Sequence, residues 1–571
     1  MGWKGHNKMN KKFLYKREPI RDLREMIKGV KTDYPEKNAF LTKTDGEYKG
    51  TTFNELHSDI NSLGTKLYDL GLKDAFIGII GENRYEWCVT YLAVVNGTGV
   101  VVPLDKELGT KELIYLANES KLKMIVYSKK YRSKIEEVKQ NCESLEHLVC
   151  MDEIVPGELA FNSLLSDGRE LIEKGKTDFL DADIDPFEMR MLLFTSGTTG
   201  ISKGVMLNHN NIITNVLANR TIVNITSDDL SLSILPIHHT FECTCGFLTI
   251  IASGGTVAFC EGLKYIAQNI RETKPSILIV VPLILEGVYN KIMKKVSVSF
   301  IKKTIFKMLL GISSILSIKA RRKLFSSVHD SLGGRIHLVI CGASALSPQI
   351  SKTFERMGLI VLQGYGLTES SPCAAGNREA FFKHGTLGLP MPGVQMKIDE
   401  PDKDGIGEIL IKGPNIMIGY YNNPEATAEA IKDGWLYSGD YGRVDKDGFF
   451  IMTGRKKNLI ITKTGKNIFP EELEEYLNDS PFILESVVSG SEKDITKEDF
   501  IHAHIVPNIE RIKESLSGKL PSIEEIKNVI SEEIKKINKK LPVFKRIKNF
   551  HIRDKEFEKT TTKKIKRHTK K

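Results

Sequence analysis

A run of hydroxyl, glycine and lysine residues spans positions 195–204 and follows the short apolar run 191–194. Glycines let backbone N–H groups approach an anion closely, and a lysine adds positive charge, so this composition predicts a loop that binds phosphate oxygens. A P-loop is excluded because that motif needs glycine before the lysine and serine or threonine after it, whereas Ser202 and Gly204 stand there. The residues expected to contact phosphate are Thr195, Ser196, Gly197, Thr198, Thr199, Gly200 and Lys203.

A second candidate is the heptapeptide 363–369, Gln-Gly-Tyr-Gly-Leu-Thr-Glu. The aromatic face of Tyr365 suits a purine, and the carboxylate of Glu369 is a hard oxygen ligand of the kind that magnesium uses together with phosphates. Taken alone, the heptapeptide is equally compatible with a glycine-rich turn that carries a solvated glutamate. Its chemistry therefore has to be decided by the motifs that accompany it.

The elements that position these motifs follow an alternating pattern. Short apolar runs separated by helical patterns predict an α/β fold with parallel sheets, and ligands bind such sheets where the carboxyl ends of strands meet loops. From residue 385 onward, short strands separated by glycine and aspartate predict a β-rich subdomain. Beyond a lysine-rich stretch at 454–464 the pattern is compact α+β. The apolar runs lie at 75–80, 100–102, 124–127, 191–194, 231–235, 256–259, 277–281 and 336–340.

Charge and cysteine content exclude several classes of protein. The net charge of +10 is concentrated in residues 545–571, where twelve basic and three acidic residues give 12 − 3 = +9. No nucleic-acid motif accompanies this basic tail, so nucleic acid is not expected as a partner. The eight cysteines show no metal-ligand spacing, which favours a reducing cytoplasm. We find no secretory signal and no apolar stretch long enough to span a bilayer.

The 195–204 and 363–369 segments resemble two motifs of the adenylate-forming superfamily, and they occur in the same order along the chain. This superfamily includes acyl-CoA synthetases, amino-acid adenylation domains and firefly luciferase. The resemblance covers nearly the whole chain. It implies that the 195–204 segment is the phosphate-binding signature and that Tyr365, followed by Gly366, lies against the adenine. It also implies that Thr368 contacts the α-phosphate and that Glu369 holds magnesium.

Three further motifs extend the resemblance. Residues 341–344 resemble the loop that flanks the adenine, which assigns Gly342, Ala343 and Ser344 to the nucleotide. Residues 438–440 match the motif whose aspartate, Asp440, binds the ribose hydroxyls, and Arg455 matches the arginine that also reaches the ribose.

The remaining motifs resemble those of the long-chain fatty acyl-CoA synthetases. Residues 235–242, Leu-Pro-Ile-His-His-Thr-Phe-Glu, place His239 at the histidine between the acyl and thiol sites. Residues 274–292 resemble the strand-turn-helix that lines the acyl tunnel. Residues 560–567 resemble the C-terminal catalytic motif, with Lys564 as the catalytic lysine and Lys563 where the commoner version has glycine.

The resemblance implies a two-step reaction with ATP, magnesium and coenzyme A acting on a fatty acid. Residues 1–454 are expected to form the AMP-binding N-terminal domain and 455–571 a small mobile domain that carries Lys564 and turns about a hinge at Lys457. Two alternatives stay open, an acyl-AMP ligase that loads a carrier protein and an amino-acid adenylating enzyme in which Glu242 binds the amine. A scaffold or ATP sensor on this fold is disfavoured by the intact motifs. Acyl chain length and oligomeric state are left open.

Residues 301–323 read as an insertion with amphipathic character. Ile301, Ile305, Leu309, Ile312 and Leu316 recur at three- and four-residue spacing, and basic residues flank them. The spacing predicts either a helix packed on its own domain or an interfacial helix in peripheral contact with a membrane.

Overall fold

The computed structural model describes residues 14–195, 202–297, 299–461, 467–490, 501–516, 518–559, 565 and 567. The chain divides into two compact units. Unit 1 comprises Met1–Met396 and Ile411–Leu436, and unit 2 comprises Lys397–Leu410 and Tyr437–Lys571. The expected boundary at residues 454/455 and the hinge at Lys457 both fall inside unit 2, and they stay predictions.

A nine-stranded sheet forms one half of unit 1. The strands in its middle are parallel, and antiparallel pairs close both edges. The short central strands are buried apolar runs, as is typical of parallel strands covered on both faces. In spatial order the strands are Leu389–Pro390, Cys373–Gly376, Ile360–Gly366, Leu338–Cys341, Ile277–Val280, Leu230–Ser233, Thr256–Phe259, Asn38–Thr44 and Glu47–Thr52.

An eight-stranded sheet forms the other half of unit 1. Six of its strands are parallel neighbours, and two antiparallel strands extend the edge that carries the phosphate-loop motif. In spatial order the strands are Gly419–Tyr420, Lys203–Asn208, Met189–Thr195, Gly99–Pro103, Ala75–Ile80, Met124–Tyr127, His147–Cys150 and Leu159–Ala160. These two sheets confirm the predicted α/β class with parallel sheets.

The helices of unit 1 pack their apolar faces against the sheets. Two begin at a capping box, as at Thr52, whose side chain accepts from the Glu55 N–H while the Glu55 carboxylate accepts from the Thr52 N–H. The α-helices are Leu23–Asp33, Phe53–Asp69, Tyr85–Ala93, Thr110–Glu119, Arg132–Gln140, Phe161–Glu173, His209–Ile222, Thr249–Ala252, Ile266–Thr273, Pro282–Ser297, Phe300–Ser313, Ile318–Leu324, Ser326–Ser331, Pro348–Arg356 and Pro424–Ala430. Two π-helical segments, Val94–Thr98 and Phe241–Leu248, adjoin them.

Unit 2 combines the predicted β-rich subdomain with an α+β region. Its β-rich part contains Phe450–Arg455 and most of the strands Gln395–Asp399, Gly407–Lys412 and Trp435–Val444, whereas the two-residue strand Ile431–Lys432 falls within unit 1. The α+β region has the strands Ile460–Ile461, Asn467–Ile468, Ile483–Gly490, Ile501–Pro507 and Ile547–Ile552, and the helices Pro470–Asn478, Ile509–Ser515 and Ile523–Asn538. Buried Leu473, Leu477, Ile505 and Ile530 lie in the core between them.

All eight cysteines are free thiols. Among the described residues, no helix combines the length and the apolar character needed to cross a membrane.

Candidate active site

Three of the predicted motifs lie at one edge of the nine-stranded sheet. The His239 segment follows the strand Leu230–Ser233, the 342–344 loop follows Leu338–Cys341, and the 365–369 motif ends Ile360–Gly366. These strands belong to the parallel part of the sheet, so their carboxyl ends share an edge. The fold therefore brings together motifs that lie up to 130 residues apart in sequence, at the edge where such sheets bind ligands.

The 365–369 motif forms a tight turn that presents Glu369. Tyr365 is buried, with 9% of its surface exposed. Gly366 allows a close approach of two backbone segments, because a Cβ there would lie 1.8 Å from the carbonyl oxygen of Pro372. Residues Thr368–Ser370 form a 3-10 turn, and Asn215 and Asn415 donate to the Ser370 carbonyl at 3.0 and 3.1 Å. The turn is thus fixed by buried amides while Glu369 stays half-buried.

Tyr420 contacts both Glu369 and Lys203, the lysine of the predicted phosphate loop. The Tyr420 hydroxyl donates to Glu369 Oε1 at 2.8 Å, and Lys203 Nζ lies 4.9 Å from the centroid of the Tyr420 ring. Burial, followed by the Glu369 charge, raises the pKa of Tyr420, so its hydroxyl stays protonated and remains a donor. Sequence analysis missed Tyr420, whose only signal was an aromatic pair after Gly419.

Backbone pairing fixes Tyr420 between the two sheets of unit 1. The strand Gly419–Tyr420 runs antiparallel to Lys203–Asn208, with Tyr420 opposite Val205. The N–H of Met417 donates to the carbonyl of Glu369 at 2.9 Å. One short segment therefore connects the magnesium candidate to the edge of the phosphate-loop strand.

The two residues that flank the predicted phosphate loop, Thr195 and Lys203, lie side by side. Thr195 and Lys203 are directly opposite in an antiparallel pair, and Thr195 Oγ1 donates to the Lys203 carbonyl at 3.4 Å. The intervening candidates Ser196, Gly197, Thr198, Thr199 and Gly200 lie outside the described residues. The two described members of the motif are thus adjacent, as expected for the base of a loop.

Asn83 holds the His239 segment in place. Its Nδ2 donates to the Leu235 carbonyl at 2.6 Å and its Oδ1 accepts from the Ile237 N–H at 3.1 Å. The Phe241 N–H donates to Nδ1 of His239 at 3.3 Å, which sets the ring orientation. His238 differs, because its Nε2 lies 3.5 Å from a carboxylate oxygen of Asp105. Asn83 is a second residue that sequence analysis did not single out.

The 342–344 loop packs against the His239 segment. A Cβ at Gly342 would lie 2.9 Å from Cζ of Phe241, so the ring sits directly on the glycine. Ala343 has a φ of +72°, a left-handed conformation that is uncommon outside glycine, and Ser344 is exposed. This contact joins the predicted adenine-flanking loop to the segment predicted to lie between the acyl and thiol sites.

Glu242 is a buried carboxyl with a structural partner. Only 1% of its surface is exposed, and Ser233 Oγ donates to Oε1 at 2.6 Å. Burial raises the pKa of Glu242 to about 8, so the group is mostly protonated at neutral pH. A neutral, enclosed carboxyl is poorly suited to binding the ammonium group of an amino acid.

The substitution Glu242→Gln is expected to remove a pH dependence of stability. The folded pKa lies above the unfolded value of about 4.5, so the folded state is favoured at low pH and loses that advantage as pH rises toward 8. The slope is about 1.4 kcal/mol per pH unit. We expect the melting temperature of the variant, relative to wild type, to rise between pH 5 and pH 8. Exposed Glu429→Gln is the control, and a pH-independent difference for Glu242→Gln would contradict the assignment.

Tyr420→Phe removes one hydroxyl and leaves the ring stacked on Lys203. Hydrogen bonds to charged groups contribute about 1.5–3 kcal/mol, so a fall of roughly 10- to 100-fold in the rate of the nucleotide-dependent step is expected. The readout is release of pyrophosphate as a function of magnesium concentration. Tyr421→Phe is a matched control, because Tyr421 packs 5.7 Å from the Phe76 ring instead. Equal rates for the two variants would argue against a role for the Tyr420–Glu369 bond.

In unit 2, the two predicted ribose ligands lie opposite each other. Asp440 and Arg455 are cross-strand partners, and Arg455 Nε lies 3.1 Å from Asp440 Oδ1. Asp440 is 1% exposed, and its N–H donates to Ser438 Oγ at 3.1 Å. Preceding Gly439 has a φ of +69°, and its N–H donates to Glu408 at 3.0 Å. The predicted pair is therefore preorganised within this unit.

Lys564 lies outside the described residues, but two of its neighbours are placed. Ile565 pairs with Lys559 in an isolated antiparallel bridge. Arg567 forms an ion pair with Glu474 and donates to the Val488 carbonyl at 3.3 Å. Ile565 and Arg567 are thus each paired with a residue of unit 2.

The predicted tunnel segment forms the buried strand Ile277–Val280 and the helix Pro282–Ser297. Beside this helix lies a cavity of about 350 Å³ with a mostly apolar lining. Tyr289, Met293, Phe306 and Leu310 contribute apolar walls, and Lys307 is among the polar lining residues. The lining also includes Gln349, Lys352, Thr353 and Arg356, so the cavity presents apolar and basic side chains together. An alkyl group buried against its apolar walls would contribute about 0.8 kcal/mol per methylene.

The residues at Glu369 fit a magnesium ion that is shared with a nucleotide. Magnesium uses one or two carboxylates plus phosphate oxygens, and the Tyr420 bond to Oε1 leaves Oε2 of Glu369 for a cation. Within the described part of the chain, no group of three or more His, Cys, Asp or Glu side chains could hold a metal ion. A magnesium ion that is shared with phosphate oxygens does not require such a group, because one carboxylate can be enough.

Comparison with known proteins agrees with these motifs. A family profile described as "AMP-binding enzyme" matches residues 29–421. The chain is 30% identical over 565 residues to long-chain-fatty-acid–CoA ligase 5 of Rattus norvegicus, covering 90% of this chain and 81% of that protein. It is 27% identical over 548 residues to long-chain-fatty-acid–CoA ligase 1 of Homo sapiens, covering 87% and 76%.

Solved structures show the same fold. The anthranilate CoA ligase AuaEII in complex with anthranoyl-AMP superposes with a TM-score of 0.76 at 20% identity, covering 98% of this chain and 96% of that one. The fatty acyl CoA synthetase of Mycobacterium tuberculosis superposes with a TM-score of 0.65 at 19% identity, covering 95% and 96%.

Proposed function

This chain belongs to the family of AMP-binding enzymes, and we propose that it is an AMP-forming long-chain fatty acid–CoA ligase. It uses ATP to convert the acid to acyl-AMP with release of pyrophosphate, and then transfers the acyl group to the thiol of coenzyme A with release of AMP. The relatives named long-chain-fatty-acid–CoA ligase, which align over most of the chain, support this substrate class. The apolar cavity beside the helix Pro282–Ser297 is compatible with it.

The contact chain of Glu369, Tyr420 and Lys203 carries the proposal. When the carboxylate of the acid attacks the α-phosphorus, two anions meet, so charge neutralisation is the first requirement. Lys203 supplies one positive charge at the base of the phosphate loop. Glu369 would hold magnesium, whose charge offsets that of the phosphates, and Tyr420 orients the carboxylate that holds it.

In this proposal the nucleotide is bound by the residues that the family motifs assign to it. Tyr365 with Gly366 and the loop Gly342, Ala343 and Ser344 flank the adenine, and Thr368 reaches the α-phosphate. Asp440 and Arg455 bind the ribose. The shared sheet edge of the first group and the 3.1 Å pairing of the second support these assignments.

The second half-reaction requires the adenylation lysine to leave. We infer that Lys564 serves the first step, that residues 455–571 then turn about Lys457, and that His239 lies between the acyl and thiol sites. The hydrogen bond from the Phe241 N–H sets the orientation of the His239 ring in this arrangement. The free state of all eight cysteines supports a cytoplasmic location.

Acid-dependent release of pyrophosphate tests the proposed activity. Purified protein with ATP and magnesium is offered acetate, octanoate, palmitate and amino acids in separate reactions. We expect release with palmitate and none with amino acids, because the Glu242 carboxyl is neutral and enclosed. Release with amino acids alone would move the protein to the amino-acid adenylating enzymes, and no acid-dependent release would indicate a scaffold or sensor.

A further inference from the structure

The helix Phe300–Ser313 exposes an apolar stripe to solvent. Ile301, Ile305, Met308 and Ile312 follow one another at intervals of four, three and four residues, so they lie on one narrow face of the helix. Each is at least 45% exposed, and Phe300 and Ile315 at the two ends of the stripe exceed 80%. Large apolar side chains that form a contiguous exposed set mark a surface that contacts something else.

The other side of the same helix attaches it to the protein. Phe306 is buried and packs edge-on against Phe325, with ring centroids 5.9 Å apart. Leu309 and Leu310 are half-buried in the same core. Since a separate set of side chains already serves as the packing face, the stripe is not needed to hold the helix in place. The sequence-based set differs, because Leu309 and Leu316 are half-buried whereas Met308 and Ile315 are exposed.

The charge around the stripe has one sign. Residues 287–329 contain ten lysines and arginines and neither aspartate nor glutamate. Two of the ten are engaged, Arg321 with Glu355 at 3.0 Å and Arg322 with the carbonyl of Ile336 at 2.6 Å. In the part of the chain that the structure describes, Lys302, Lys303 and Lys307 form no ion pair. They are exposed on the helix that carries the stripe.

We propose that the apolar stripe and its lysines dock the protein on the surface of an anionic lipid bilayer. A helix with one apolar face and a basic surround lies in the plane of the interface, with its apolar side chains among the acyl chains and its lysines at the headgroups. A helix of 14 residues is about 21 Å long, too short to span a bilayer but suited to lying on one. A second copy of this face is a poor partner, because a symmetric contact would bring its like charges together.

The inference does not depend on the catalytic proposal, because the stripe contains none of the residues assigned to chemistry. Docking would place the helix Pro282–Ser297, which packs beside this one, near a surface where long-chain acids partition. The class of partner is thus set by two observations of different kinds, an exposed apolar face and an uncompensated basic charge.

Co-sedimentation of the full chain with vesicles tests the inference. Vesicles of phosphatidylcholine alone are compared with vesicles that contain phosphatidylglycerol at 30 mol%, at low and high salt. The test variants are Ile305→Asn plus Ile312→Asn, which keep the charge, and Lys302→Gln plus Lys303→Gln, which keep the stripe. The control is Ile154→Asn plus Leu263→Asn, which changes two exposed apolar residues elsewhere in unit 1.

We expect wild type and control to bind the anionic vesicles at least tenfold more tightly than the neutral ones, with binding weakened by salt. Each test variant should lose at least tenfold in binding to anionic vesicles while its pyrophosphate release with octanoate in the absence of vesicles stays unchanged. Binding of the isoleucine variant equal to that of the control would overturn the proposal. So would a concentration-dependent dimer of wild type that the isoleucine variant abolishes, because the stripe would then be a protein interface.

Discussion

Lys564→Ala is expected to lose adenylation by roughly 100- to 1000-fold while retaining the transfer of a supplied acyl-AMP to coenzyme A. The magnitude is that of removing one preorganised charge aimed at the developing transition state. The separation of the two steps follows from the proposed rotation, in which the lysine is present for the attack on ATP and absent when the thiol attacks. Pyrophosphate release with palmitate measures the first step, and thioester formation from synthetic palmitoyl-AMP measures the second.

Lys563→Ala is the matched control for this experiment, since the two lysines are adjacent and chemically identical. It should leave both half-reactions close to wild type. If Lys563→Ala produced the larger loss of adenylation, the catalytic assignment would pass to Lys563. Equal loss of both half-reactions in Lys564→Ala would contradict the proposal that Lys564 serves adenylation and not thioester formation.

Glu369→Gln is expected to reduce adenylation by roughly 100- to 1000-fold and to shift the magnesium dependence to higher concentration. The substitution keeps the size of the side chain and its bond to the Tyr420 hydroxyl but removes the charge that would attract the cation. A titration of pyrophosphate release against magnesium separates a binding defect, which excess magnesium partly restores, from a general loss of activity.

Glu425→Gln, on the exposed surface of the helix Pro424–Ala430, controls for the removal of a negative charge near this part of unit 1. Its magnesium titration should match that of wild type. A Glu369→Gln enzyme with full activity and unchanged magnesium dependence would remove Glu369 from the metal site. Tyr420→Phe keeps the charge of Glu369 and loses the hydrogen bond to it. Its adenylation rate should therefore lie between those of Glu369→Gln and Glu425→Gln.

Sequence patterns predicted eight strands of unit 1, because a buried parallel strand is typically a continuous apolar run. The run at 75–80 became Ala75–Ile80, and the runs at 277–281 and 336–340 became neighbouring strands. The strand Ile360–Gly366, which ends in the 365–369 motif, was not among the predicted runs, and its parallel pairing with Leu338–Cys341 is what brings that motif to the same sheet edge.

Residues that act through long-range contacts were not predictable in the same way. Tyr420 lies 51 residues from Glu369, and Asn83 lies 152 residues from the Leu235 carbonyl that it binds. Neither residue sits in a pattern of spacing, since each contact joins a residue of the eight-stranded sheet, or one just after its strand, to a residue that follows a strand of the nine-stranded sheet. Their detection from one sequence would need the packing of one sheet against the other.

The helix Phe300–Ser313 shows a different limit. Three- and four-residue spacing predicted an apolar face, but apolar residues cover more than one face of this helix. The aromatic contact of Phe306 with Phe325 selects which face packs, and this moves Leu309 inward and leaves Met308 exposed. Periodicity predicts that the helix is amphipathic, whereas the residues that it packs against determine which of its faces is buried.

The central claim is that this protein joins a long-chain fatty acid to coenzyme A. The most direct measurement is thioester formation by the purified protein with ATP, magnesium and coenzyme A, with palmitate, octanoate or acetate as the acid. Our account predicts palmitoyl-CoA, AMP and pyrophosphate in equal amounts, with little or no product from acetate. Palmitate-dependent pyrophosphate release without any CoA thioester would contradict it and would make a carrier protein the acceptor.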